Sequence, residues 1–247
     1  MSKKDQDKIE LDLLKIKPFD SDKDNIEQRP LMEQNIIPRF ASSVYLVGSS
    51  ASGKSTLLLN LMLKPQFYGG YFNEVWHFSE TAGIDSLAKQ LKIPKKHQVS
   101  NFDQEKLKEI LEKQRGKVEK GGEANAPKIA IIFDDCIHDQ KFLRSSICKE
   151  MSILARHFNV MTFFLSQAFK QIPRSIRLSF NCIYVFAGSA SERNQIAEEF
   201  TPPGWTKKDM FKAMDTAYSE PYSFLQINMR CPKELRLRKN LDIQLSK

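Results

Sequence analysis

The chain has 247 residues, with 38 Lys and Arg against 30 Asp and Glu for a formal charge of +8, and 41% of its side chains are apolar, including 17 Phe. That length suits one large α/β domain with a sizeable core and is short for two independent domains, while the apolar share excludes wholesale disorder. No run of about 18 apolar residues occurs, and the opening MSKKDQDKIELD is charged where a secretory signal needs an apolar segment, so neither a membrane span nor secretion is expected.

Residues 1–40 alternate charges without a long apolar period and contain Pro18, Pro30 and Pro38, which reads as an N-terminal arm with at most short helices. Residues 41–247 form the domain proper. Short β-branched or aromatic runs predict strands at 43–47, 74–78, 129–133, 160–165, 182–186 and 223–228. Between them, helical periodicity predicts helices at 54–63, 103–117, 141–157 and 191–200, with loops at KGGEANAPK (120–128) and TPPGW (201–205). Strands alternating with helices are the mark of a mostly parallel sheet flanked by helices. Cys136, Cys148, Cys182 and Cys231 form no CxxC pair and the four His show no metal-ligand spacing, so a reduced intracellular setting without a structural metal is expected.

The stretch GSSASGKST follows the first predicted strand and opens the first predicted helix. Gly48, Gly53, Lys54 and Ser55 match G-x-x-x-x-G-K-[ST] in the required strand–turn–helix context. Glycine lets the backbone curl so that the N–H groups of Gly48, Ser49, Ser50, Ala51, Ser52, Gly53, Lys54, Ser55 and Thr56 can converge on phosphates at the positive end of the helix. Lys54 is the cation for the β/γ-phosphates and the Ser55 hydroxyl a ligand for Mg²⁺. ATP with Mg²⁺ is therefore the expected cofactor pair.

Such a loop needs an acid on a neighbouring strand tip, and KIAIIFDDC supplies two. Asp134 is the expected carboxylate on the magnesium side, and Asp135 is then placed to polarise a water for attack on the γ-phosphate. The same pair also suits a helix N-terminal cap. The strand VMTFFLSQ ends at Gln167, which on the ligand-binding edge of a parallel sheet sits beside the acids, or is an ordinary polar strand end. About 80 residues separate Lys54 from Asp134, enough for a strand to stand between the two motif strands.

Taken together, VGSSASGKSTLL, IIFDDC, ARHFNVMTFFLSQAFKQIPRSIR, NCIYVF and RLRKN resemble the genome-packaging ATPases of large double-stranded DNA viruses and virophages, the viral branch of the FtsK–HerA superfamily, over roughly residues 40–245. The resemblance implies a P-loop NTPase fold of RecA/ASCE type, acting as a Mg²⁺-dependent motor that moves double-stranded DNA into a capsid. It implies a homo-oligomeric ring of five or six subunits, a capsid or portal-type partner, and a place in the host-cell cytoplasm, virus factory or virion. Lys54 and Ser55 then belong to Walker A, Asp134 and Asp135 to Walker B, and Gln167 to the sensor. The superfamily commonly has Asp-Glu where this chain has Asp134-Asp135, a shorter acid that still acts through water. Ring ATPases also draw an arginine from the next subunit; Arg144, Arg156, Arg174 and Arg177 are the candidates, with Arg156 favoured.

A motor holds DNA of any sequence through its phosphates. KQIPRSIR (170–177) carries three cations, and RCPKELRLRKN (230–240) carries five against one acid. LRLRK equally suits an edge strand guarded by charge. FYGGYF (67–72) is either a mobile loop or a packed turn. The rival readings are a nucleotide or small-molecule kinase, for which residues 81–128 are the only room for a lid, and a non-catalytic nucleotide-dependent DNA-binding or scaffold protein.

Overall fold

The structure, a computed structural model, describes residues 26–82, 86–135 and 139–247, the side chain of Arg156 excepted. In chain order its strands are β1 Ser43–Val47, β2 Glu74–Ser79, β3 Gln98–Val99, β4 Ile129–Asp134, β5 Val160–Ser166, β6 Cys182–Phe186, β7 Phe224–Asn228, β8 Leu237–Lys239 and β9 Ile243–Gln244. The helices are α1 Pro30–Glu33, α2 Lys54–Leu63, α3 Ser86–Gln90, α4 Gln104–Asn125, α5 Gln140–Arg144, α6 Ser146–Leu154, α7 Arg174–Arg177, α8 Ala190–Phe200 and α9 Lys207–Ala217.

All nine strands join one sheet in the order β3-β2-β4-β5-β1-β6-β7-β8-β9. The pairs from β3 to β6 are parallel, and β6 to β9 are antiparallel. β5 thus stands between β1 and β4, which carry the phosphate loop and the acid pair.

Alternation along the strands builds two cores. Tyr45, Val47, Phe78, Ile131, Phe133 and Phe164 face α4, α5, α6, α8 and α9. Val44, Leu46, Ile132, Phe163 and Tyr184 face α2, α3 and residues 26–40. On α2, Leu57, Leu58, Leu61 and Met62 are buried at the spacing of one helical face. Leu58 and Leu61 are fully buried, and each such burial stabilises by roughly 1.5–3 kcal/mol.

The arm's described part is tied down. Ile26, Met32, Ile37 and Phe40 enter the second core, and Gln226 and Asn228 of β7 donate to the carbonyls of Ile36 and Asn35. FYGGYF is the packed turn of the two readings. Tyr68 is buried, and Tyr71 and Phe72 meet Phe40 edge-on or tilted.

Several boundaries depart from expectation. The helix expected at 103–117 runs on to Asn125 through the expected loop, broken only at Gly122 with φ 75°. Its tail is held by Asn159, whose amide donates to Glu123 O and Ala126 O. The helix expected at 141–157 splits at Ser145, an extended residue whose hydroxyl accepts from Cys148 N and caps α6. LRLRK is no edge strand, because β8 lies between β7 and β9.

Candidate nucleotide site

The ends of β1, β4 and β5 converge on one edge of the sheet, and the loop 48–53 leaves β1 there. Its first amide, Gly48 N, donates to Ser166 O at the tip of β5. Gly48 has no room for a side chain, since a Cβ would sit 2.6 Å from Phe186 Cβ. Gly53 has φ 108° and starts α2, a backbone state open to glycine and strained for others. Lys54 Nζ is held at 2.6 Å by Gly48 O and 2.8 Å by Ser49 O. Burial pulls this ammonium below the usual lysine range, while the charges of Asp134 and Asp135 oppose the shift. Lysine and acids therefore share one electrostatic site.

Asp134 ends β4, 3.9 Å from Nε2 of the fully buried His77. Asp135 follows with φ 52°, a left-handed turn that Asp tolerates and that ends the ladder. The Gln167 side-chain amide donates to both carboxylate oxygens of Asp135, at 3.2 and 3.4 Å. Gln167 thus stands against the acid pair, not at a plain strand end.

What holds Gln167 there is a residue the sequence reading missed. Tyr45 of β1 bonds the Ser166 hydroxyl at 2.5 Å and donates to the carbonyls of Ala168 and Phe169. Ala168 N in turn donates to Gln171 Oε1. Both neighbours of Gln167 are therefore fixed, which presents its side chain from a rigid step. A tyrosine inside an apolar strand run gives no sign of this, because the contact forms between strands.

Of the arginines, Arg144 and Arg174 are exposed, and the side chain of Arg156 lies outside the described residues. Arg177 is not free to serve another subunit. It is 5% exposed and binds Glu199 through two nitrogens, at 2.5 and 3.1 Å, with its third bond to Ile172 O. The expected row of three cations at 170–177 thus presents only Lys170 and Arg174 outward. In the C-terminal segment Lys239 is likewise buried, paired with Glu220 at 2.7 Å.

Beside Gly53–Thr56 a cavity of about 540 Å³ opens, walled by Leu57 and Asn60 of α2 and by Phe186, Tyr222 and Phe224. Among the described residues no cluster of three or more His, Cys, Asp or Glu is placed to hold a metal, and no helix is long and apolar enough to cross a membrane.

A glycine-rich loop between a parallel strand and a helix, with the acid-bearing strand two places along the sheet beyond β5, defines the P-loop NTPase class. Solved structures share this fold. B204, the DNA-packaging ATPase from Sulfolobus turreted icosahedral virus, matches at TM-score 0.55 and 13% identity over 76% of this chain and 93% of its own. The B204 packaging NTPase of Sulfolobus turreted icosahedral virus 2, solved with AMP, matches at TM-score 0.56 and 15% identity over 80% and 96%. ATPases 2 and 3 of EssC from Geobacillus thermodenitrificans match at TM-score 0.55 and 12% identity over 84% of this chain and 40% of theirs. No curated protein sequence matches the chain. The family described as Poxvirus A32 protein matches residues 34–226, and the chain belongs to that family.

Proposed function

We propose that the protein is a Mg²⁺-dependent ATPase that drives double-stranded DNA into a viral capsid. The observation that carries the hydrolytic part is the contact of Gln167 with Asp135 beside Lys54. A carboxylate positioned by an amide at the phosphate edge is what water attack on a γ-phosphate needs. The described part of residues 81–128 forms α3, β3 and α4, built into the sheet and its cover rather than into a lid. Membership in the A32 family and the shared fold of the packaging ATPases support the DNA-moving part.

In this reading Lys54 draws the β/γ-phosphates in, Gln167 reports the γ-phosphate to Asp135, and Asp135 orients the water and takes its proton. Ser55 and Asp134 are hard oxygen donors that fit Mg²⁺ held jointly with phosphate oxygens, as suits a site without an all-protein cage. When bound, the ion offsets phosphate charge. Arg144, Arg156 or Arg174 from a neighbouring subunit completes the ring site, and the place of action is the infected cell.

The test is steady-state ATP hydrolysis with and without long linear duplex DNA. Several-fold stimulation by DNA is expected. Lys54→Ala abolishes hydrolysis and ATP binding, whereas Asp135→Asn lowers kcat by about 10²–10⁴ and leaves ATP affinity within a few-fold. Hydrolysis indifferent to DNA, or surviving Asp135→Asn, refutes the motor reading.

A further inference from the structure

The cavity lies against the phosphate loop, since Gly53, Lys54, Ser55 and Thr56 line it together with three aromatic residues. Its volume of about 540 Å³ is that of a small-molecule site. Two of the aromatics, Phe186 and Phe224, are buried, with ring centroids 5.4 Å apart. The third, Tyr222, is 75% exposed. Its ring lies over the loop, for a methyl group on Gly53 would come within 3.8 Å of Tyr222 Cβ and Cδ1.

Tyr222 has φ 62°, a left-handed state that is costly for a bulky side chain and natural for glycine. The turn that imposes it is held firmly. Ser223 donates to Glu220 O through both its amide and its hydroxyl, and the buried Lys239 clamps the Glu220 carboxylate at 2.7 Å and Ser219 Oγ at 2.8 Å. A large ring, strained in backbone and bare to solvent, is kept on a cavity that it shares with two buried aromatic rings and Gly53–Thr56.

We infer that Tyr222 is the wall on which the base of the bound nucleotide stacks, so that the site takes a nucleoside triphosphate by base and phosphates together. This rests on the proposed phosphate role of the loop. A flat ring offers any base a π-face, and this ring lines the same cavity as Gly53, Lys54 and Ser55.

The experiment measures, by calorimetric titration, the affinity of the full chain for the non-hydrolysable analogue adenosine 5′-(β,γ-imido)triphosphate and for inorganic tripolyphosphate, which has no base. Tyr222→Gly removes the ring and relieves the left-handed strain, so its Tm is expected to equal or exceed the parent's. Its affinity for the adenosine analogue falls about tenfold, while its affinity for tripolyphosphate is unchanged. Tyr222→Phe, which keeps the ring, restores adenosine-analogue binding to within about twofold. An unchanged adenosine-analogue affinity in Tyr222→Gly overturns the inference, and so does an equal loss for both probes. A parent chain that binds neither probe refutes the phosphate-loop reading and the inference with it.

Discussion

Asp135 and Gln167 are 32 positions apart and meet because β4 and β5 are neighbours and end on the same edge. At this scale the site is a balance of one cation and two acids. Burial depresses the pKa of Lys54 in the folded state and the two carboxylates partly restore it. A lysine with a depressed folded pKa costs stability below that value, and the cost fades as pH rises through it. Removing one acid deepens the depression. Asp134→Asn should therefore lower Tm more at pH 7 than near pH 10, and a Lys54→Met background should erase that difference; thermal melts of the four proteins check it.

Elements are pinned to one another by a few buried polar contacts. α7 is a single turn that would not persist alone, and Arg177 ties it to α8 through Glu199 and stacks 4.6 Å from the Phe169 ring centroid. Arg177→Ala leaves the Glu199 carboxylate, 14% exposed, without its partner. A loss of about 3–5 kcal/mol in urea unfolding is expected, with much of it recovered when Glu199→Leu is added to Arg177→Met. The segment 26–40 acts as an element too. A chain beginning at Ser42 loses Met32, Ile37 and Phe40 from the second core. Three such side chains approach the whole stability of a typical domain, so that chain should show no cooperative thermal transition by circular dichroism.

For the whole molecule, the formal charge of +8 is spread unevenly in use. Arg177 and Lys239 are spent on internal pairs, while Lys170 and Arg174 stay exposed on the segment that follows β5. Contacts with DNA phosphates release counterions, so the DNA concentration giving half-maximal stimulation of hydrolysis should rise steeply between 50 and 200 mM salt, with a slope near 0.9 per phosphate neutralised. DNA-free hydrolysis should change little over the same range. A flat response would place DNA recognition on something other than phosphates.

Sequence alone determined six of the nine strands and the strand–turn–helix that carries GSSASGKST, because these are local, whereas the short β3, β8 and β9 were not read from it. Alternating apolar runs such as SVYLV and a GKS turn need only their neighbours to be read, and β1, α2 and β6 appear at the bounds expected. α9 was equally local and went unread, though Thr206 and Asp209 form a reciprocal cap ahead of Met210, Ala213, Met214 and Ala217 on one face. What only the tertiary structure decided was long-range: the place of β5 between β1 and β4, the grip of Tyr45 on the step that presents Gln167, the burial of Arg177 and Lys239, and the ring of Tyr222 over Gly53. A side chain's charge or ring is written in the sequence, but whether it faces solvent, a partner or a cavity depends on residues from 19 positions away, as for Lys239 and Glu220, to 121, as for Tyr45 and Ser166.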